Sequence, residues 1–222
     1  LSRDPNTDLQ QDGAAISSDF YADGITHITQ NRLADSMHIL RFMFTPMTDG
    51  HSRFWRALKT LLNLVRPAAW MNLTARRWTR RITTLTVMQD DDSGVGMCMK
   101  KGLLGYRLVS TPPASGKLAP SYLPLANAAT RQYAKVSGGI PLSSLQESLV
   151  GKAMTAHILG GCPMGATAAT GVIDAQHQVH GHPGLYVVDA SAIPANLGVN
   201  PSLTITALAE RFASLQPDAK SC

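Results

Sequence analysis

The chain has 222 residues, 44% of them hydrophobic and 16% charged, with a formal charge of +5. That balance can bury a sizeable core and excludes wholesale disorder, while no apolar run approaches the roughly 18 residues of a membrane-spanning helix. Cys98, Cys162 and Cys222 form an odd, widely spaced set without C-x-x-C, which argues against a disulfide framework and against a zinc site.

The chain opens at Leu1 on loop-type residues (Leu-Ser-Arg-Asp-Pro-Asn-Thr-Asp) that resemble neither a signal peptide nor a natural start. The expectation is a fragment entered in mid-protein, located in the cytoplasm or at the periphery of a membrane. Residues 1–50 mix turn signals (Asp12-Gly13, Asp23-Gly24, Asp49-Gly50) with short alternating runs at Ile25, His27 and Thr29 and from His38 to Phe44, which reads as strands joined by loops. Thr84 to Gln89, Val95 to Lys100 and Leu103 to Val109 read as three further strands, the first two joined by the turn Asp90-Asp91-Asp92-Ser93-Gly94. Thr111-Pro112-Pro113-Ala114-Ser115-Gly116 then breaks the chain and divides it into portions 1–112 and 113–222. Beyond it, a helix is expected from Leu123 to Val136, ending at Gly138-Gly139, and a short one from Ser143 to Gly151.

Between the strand regions lies a compositional anomaly. From His51 to Gln89 there is no acidic residue, while Arg53, Arg56, Lys59, Arg66, Arg76, Arg77, Arg80 and Arg81 all fall there. Trp55, Leu58, Leu62 and Val65 recur at helical spacing, opposite Arg56, Lys59, Asn63 and Arg66. Most amphipathic helices pack their apolar stripe on the domain core, and that is the first expectation here. The alternative is peripheral membrane contact through 51–81, or a place at the mouth of an apolar-substrate site. No nucleic-acid signature accompanies the basic residues, so nucleic acid is not an expected partner.

From His157 the sequence carries more chemistry. His157-Ile158-Leu159-Gly160-Gly161-Cys162 precedes an expected hairpin over 171–184, a short buried strand over Leu185–Val188 ending in Asp189, and Gly198-Val199-Asn200-Pro201. Asn200 followed by Pro201 reads as an N-cap and first helical position, with the helix running through Leu203, Ala207, Leu208 and Phe212. Its free N–H groups favour negative charge, and a strand ending in Asp189 delivers side chains to a sheet edge where α/β proteins bind ligands. Cys162 has no evident activating partner and reads as a small packing residue. His177, His180 and His182 lie on a glycine-rich hairpin with no cysteine or carboxylate completing a tetrahedral set, so no metal site is expected.

This stretch resembles the C-terminal signature of the glucose–methanol–choline (GMC) flavin oxidoreductases, and most of all their bacterial cholesterol-oxidase-like branch. The match is dense over about 55 residues and looser upstream. The resemblance implies an α/β (α+β) fold: part of an FAD-binding GMC-type fold with an antiparallel-sheet substrate domain over 1–112, and a segment over 113–222 completing the substrate site and the flavin-facing part of the FAD domain. It implies FAD as cofactor and a bulky apolar, sterol-like alcohol as substrate. His157 matches the active-site histidine at the substrate hydroxyl, and Asn200 the second polar residue of the pair. Asp189 and Ala190 fall where the family contacts FAD, and Pro201 and Ser202 begin the helix facing the flavin. The chemistry suits these residue types, since a neutral imidazole can take the hydroxyl proton near pH 7 and an amide can orient the same oxygen without adding charge.

The sequence departs from the family pattern in three places. No G-x-G-x-x-G turn occurs, Gly94-Val95-Gly96 being followed by Met97-Cys98-Met99. The N-terminal dinucleotide-binding βαβ unit is therefore expected to be missing, leaving a chain not self-sufficient for FAD. No glutamate precedes Glu147 to serve a steroid isomerisation, and Ala190 stands where the family usually has glycine. A non-catalytic remnant, a lipid- or membrane-surface-binding module, or one half of a split enzyme with a companion chain are the alternative readings.

Overall fold

The computed structural model describes residues 1–10, 14–91, 93–103, 105–113 and 116–217. The Asp12-Gly13 turn, position 92 of the aspartate-rich turn, position 104 of the third strand, positions 114 and 115 of the Pro-rich break, and Cys222 lie outside the described residues. In chain order the elements are β1 (Ile16–Tyr21), β2 (Thr26–Asn31), a 3-10 helix over Asp35–Met43, β3 (Phe44–Pro46), α1 (Arg53–Asn63), α2 (Pro67–Thr74), α3 (Trp78–Arg81) and β4 (Thr84–Gln89). There follow β5 (Gly96–Gly102), β6 (Gly105–Thr111), α4 (Pro124–Val136), β7 (Leu142–Ser144), a π-helical turn over Gln146–Val150, a 3-10 turn over Ala190–Ala192, and α5 (Ser202–Ser214). This is a mixed helix–strand chain with small antiparallel sheets, as the α+β expectation has it. By packing it forms two compact units, Leu1–Val87 with Asp92–Met154, and Met88–Asp91 with Thr155–Cys222.

The first unit holds a three-stranded sheet ordered β1-β2-β4 and the antiparallel pairs β3–β7 and β5–β6. At the turn between β1 and β2, Asp23 accepts the Ile25 and Thr26 N–H groups at 3.0 and 2.7 Å. β2 buries Thr26 through Thr29, and His27 Nε2 meets Asp19 Oδ2 across the pair at 2.9 Å, its ring stacked on Tyr21. The expected strands at 84–89, 95–100 and 103–109 appear as β4, β5 and β6, and the expected helix from Leu123 as α4. Gly96 opens β5 rather than a nucleotide-binding turn, and a side chain there would meet Thr111 and the Pro112 carbonyl below 3 Å.

Three expectations in this unit are corrected. Helix α1 does not pack its apolar stripe on the core: its buried side chains are Arg56, Thr60 and Asn63, while Phe54, Leu58, Leu61 and Leu62 are exposed. The His38–Phe44 run is mostly 3-10 helix, not strand. The helical path turns Leu40 toward the core and sets the Arg41 guanidinium over the Trp78 ring at 5.8 Å, while Arg41 Nη1 donates to the Leu73 carbonyl at 3.0 Å. Alternation over so short a run cannot specify a strand unless a neighbouring strand pairs with it. Residues Ser143 and Ser144, expected to begin a helix, instead pair with β3, and one wide helical turn follows.

The core of this unit is built on Trp78, Ala75 and Ile82, with Leu1, Leu33, Leu40, Phe44 and Leu142 packed against them. Trp78 is 1% exposed. Its indole N–H donates to Asn72 Oδ1 at 2.9 Å, and Asn72 Nδ2 donates to the Arg41 and Phe44 carbonyls at 2.9 and 3.0 Å. A buried indole and a buried amide thus satisfy each other, which burial requires. Outside this core, Arg80 bridges Asp8 at 3.0 Å and Asp35 at 2.7 Å, and Arg77 reaches Asp8 at 2.6 Å.

Candidate active-site edge

All six residues singled out by the sequence lie in the second unit, which is held largely by backbone hydrogen bonds. The loop after His157 reaches the turn after Asp189 through two of them: Gly160 N–H to the Ala190 carbonyl at 3.3 Å, and Cys162 N–H to the Ser191 carbonyl at 2.9 Å. This path needs Gly160 at φ +80° and Gly161 at φ +110°, a region L side chains rarely adopt. The Leu-Gly-Gly-Cys spacing thereby brings the histidine loop to the Asp189–Ser191 turn.

His157 is half-buried. Its backbone N–H donates to Thr155 Oγ1 at 3.0 Å, and the Thr155 hydroxyl donates back to its carbonyl at 3.3 Å. Among the described residues no hydrogen bond occupies its ring and none joins it to Asn200. Asp189 caps the 3-10 turn over Ala190–Ala192, its Oδ1 accepting the Ser191 N–H at 2.8 Å and the Ser191 hydroxyl as well. These bonds, the hydroxyl first, hold its carboxyl below the usual carboxylate range. Ala190 has no positive φ, so alanine stands there without backbone strain.

Two local expectations are overturned. The Leu185–Val188 segment is neither buried nor in a sheet among the described residues: Leu185 and Tyr186 are exposed, and a single bridge pairs Tyr186 with Gln178. An apolar run of four residues becomes a buried strand only where neighbouring strands cover it. The helix start is also shifted. α5 opens at Ser202 with Pro201 as its cap residue, and no side chain caps it. Asn200 precedes the cap, half-buried, and its amide is not engaged by the helix.

The sequence reading passed over what positions Asn200. Asn196 Nδ2 donates to the Gln89 carbonyl, its Oδ1 accepts the Gly198 N–H at 3.1 Å, and Gly198 sits at φ +65°. An Asn-x-Gly spacing was the available signal. The expected hairpin is present as a tight turn in which Asp174 Oδ1 accepts the Gln176 and Gln178 N–H groups, both at 2.9 Å. Two of its three histidines face backbone: His177 Nδ1 meets the Val187 carbonyl and His180 Nε2 the Gly165 carbonyl, both at 3.0 Å. His177 is fully buried at φ +66°, edge-on to Phe212 of α5.

The donors at this edge suit a flavin dinucleotide. α5 begins with first-turn N–H groups that no side chain caps and no acid opposes. Asp189 is already bound internally to Ser191, and Ala190 presents backbone and one methyl group. Asp189, Ala190, Asn200, Pro201 and Ser202 are therefore compatible with holding FAD.

Comparison with known sequences finds relatives along nearly the whole chain. Residues 107–209 match the family model described as GMC oxidoreductase. The chain is 38% identical to a cholesterol oxidase of Mycobacterium tuberculosis over 225 residues, covering 98% of this chain and 38% of that protein. It is 37% identical to a cholesterol oxidase of Acinetobacter baumannii, covering 92% of this chain and 37% of that one. A long-chain-alcohol oxidase of Arabidopsis thaliana is 45% identical over 73 residues, 31% of this chain and 10% of that protein. Residues 107–209 therefore carry the GMC oxidoreductase C-terminal domain. It spans 38% of the length of the first of these curated relatives.

Proposed function

We propose that this chain is the C-terminal portion of an FAD-dependent oxidoreductase that oxidises the CH–OH group of a bulky apolar, sterol-like alcohol. The observation that carries the reading is the pairing of His157-x-Leu159-Gly160-Gly161-Cys162 with Gly198-Val199-Asn200-Pro201, each on a loop anchored by its own hydrogen bonds. The similarity to cholesterol oxidases along 98% of the chain supports it. The proposal includes a functional division: residues 1–112 contribute to the substrate-binding domain and 113–222 complete the substrate site and the flavin-facing edge. Packing divides the chain elsewhere.

In this reading Asn200, whose amide caps no helix, hydrogen-bonds the alcohol oxygen and sets the carbinol carbon in place. The His157 ring, free of hydrogen bonds among the described residues, takes the hydroxyl proton. Bound FAD supplies the hydride acceptor. The start of α5 favours negative charge at its N–H groups, as the reduced cofactor requires. The 222 residues hold no G-x-G-x-x-G turn, so a dinucleotide-binding half, joined to this one or carried on a companion chain, supplies the grip on the pyrophosphate.

The test is His157→Ala in protein that includes this half. Alcohol-dependent flavin reduction is expected to fall by roughly 10²- to 10⁴-fold while flavin stays bound. Unchanged reduction in the flavin-loaded variant would overturn the assignment.

A further inference from the structure

The chain is fastened to α1 just before it sets out for His157. After β7 it makes the π-helical turn over Gln146–Val150, and two arginines of α1 take carbonyls of that turn. Arg56 Nη2 donates to the Glu147 carbonyl at 3.2 Å, and Arg53 Nη2 to the Val150 carbonyl at 3.0 Å. Gly151 then reverses the chain at φ +68°, so close to Arg53 that a Cβ would fall 2.5 Å from its Nε. From 152 to 156 the backbone makes one hydrogen bond among the described residues: the Met154 N–H donates to Glu147 Oε1 at 3.2 Å.

Glu147 stands there against its own solvation. Burial pushes its carboxyl above the usual carboxylate range, with the Met154 N–H and the charge of Arg56 pulling the other way. Arg56 does not relieve the carboxyl by pairing with it. Its donors go to the Gly50 carbonyl, Ser121 Oγ and the Glu147 carbonyl, and its guanidinium lies over the Tyr122 ring. The hydrogen bond that the carboxyl does make is the one to Met154.

Met154 is the last residue of the first compact unit, and the chain enters the second at Thr155. There Thr155 Oγ1 accepts the His157 N–H at 3.0 Å. His157 lies three residues beyond the Met154 anchor and seven beyond Val150. Without the Glu147 bond the unanchored lead therefore more than doubles. A longer lead has more conformations to lose, and a reacting group misplaced by about 1 Å costs on the order of 10²-fold in rate.

We propose that Glu147 is a positioning residue for His157: by holding the Met154 N–H it shortens the unanchored lead into the histidine loop. It acts through the backbone and takes no proton in the reaction. The inference rests on the oxidoreductase reading, in which His157 receives the hydroxyl proton.

The experiment compares Glu147→Met and Glu147→Gln in protein that includes the dinucleotide-binding half. Methionine keeps the length of the side chain, suits a half-buried site and offers only a weak acceptor. Glutamine restores an acceptor oxygen at the same reach. Hydrogen exchange at the Met154 amide is expected to quicken about fivefold in the methionine variant. Flavin reduction at saturating alcohol is expected to fall roughly tenfold, with the half-saturating alcohol concentration and the bound flavin unchanged. Glutamine is expected to bring both readouts back to within about twofold of the parent. A glutamate that only stabilised the fold would lower the melting temperature or the flavin content without that split. An unchanged rate in the methionine variant, or a glutamine variant as slow as the methionine one, overturns the inference when His157→Ala is slow in the same protein. If His157→Ala is as fast as the parent, the oxidoreductase reading fails and this inference falls with it.

Discussion

The two compact units are held by different means. In the first, side chains do most of the fixing: Trp78 against Asn72, Arg56 spread over three acceptors, and Arg80 between two aspartates. In the second, the backbone does, through glycines at positive φ and N–H to carbonyl bonds that tie the His157 loop to the Asp189 turn. A side-chain network tolerates changes of path but not of residue type. A backbone network accepts many side chains, but no Cβ at its tightest contacts. Substitutions in the two units should therefore fail for different reasons.

The largest effect is expected at Trp78. Truncation to alanine leaves a cavity in the core and an unpaired Asn72 carbonyl, and should cost about 3–5 kcal/mol in denaturant unfolding. A loss below about 1 kcal/mol would mean that this unit does not depend on its side-chain core. The counterpart in the second unit is Gly171→Ala. A methyl group there would fall 2.6 Å from Gly165 Cα, a backbone clash that no rotamer relieves, and a cost of about 3 kcal/mol follows. If alanine were tolerated at Gly171, the rigidity assigned to the backbone would be wrong.

The carboxylates of the first unit sharpen the contrast through pH. Asp8 is held below the usual range first by the Gln10 N–H and then by Arg80, and Asp35 first by Arg80 and then by Thr79. A carboxyl whose folded pKa is depressed contributes stability above its unfolded value of about 4 and loses it as pH falls toward the folded one. Asp35→Asn should therefore flatten the fall in stability below about pH 4. A titration parallel to the parent's would show that the Arg80 bridge contributes nothing, as many exposed pairs do.

These contrasts also explain what could be read from the sequence. The motifs of the second unit were legible because they encode backbone constraints: Gly160-Gly161 and Gly198 stand where only glycine runs easily. The strands β4 to β6 and helix α4 were legible from local pattern. The orientation of α1 was not, because its periodicity marks an apolar and a polar stripe but not which one the protein covers. Arg56 decides that through Gly50, Ser121 and Glu147, partners up to 91 residues away. The Leu185–Val188 segment failed for the related reason that a strand is a property of its neighbours. The pairing of His157 with Asn200 came from resemblance to a family, and hydrogen bonds place each on its own loop.

The smallest stability effect is expected where the largest functional one is proposed. Asn200 was expected to cap α5, and a lost cap of that kind costs about 1 kcal/mol. In the structure Pro201 occupies the cap position and Asn200 makes no capping bond. Asn200→Ala should therefore change unfolding by no more than about 0.5 kcal/mol. In protein that includes the dinucleotide-binding half, the same substitution should slow alcohol-dependent flavin reduction on the order of 10²-fold, because the substrate oxygen would lose the group proposed to orient it. The two readouts separate the two roles a helix-start asparagine can have. A stability loss near 1 kcal/mol with little change in turnover would return Asn200 to the helix and leave His157 without its partner.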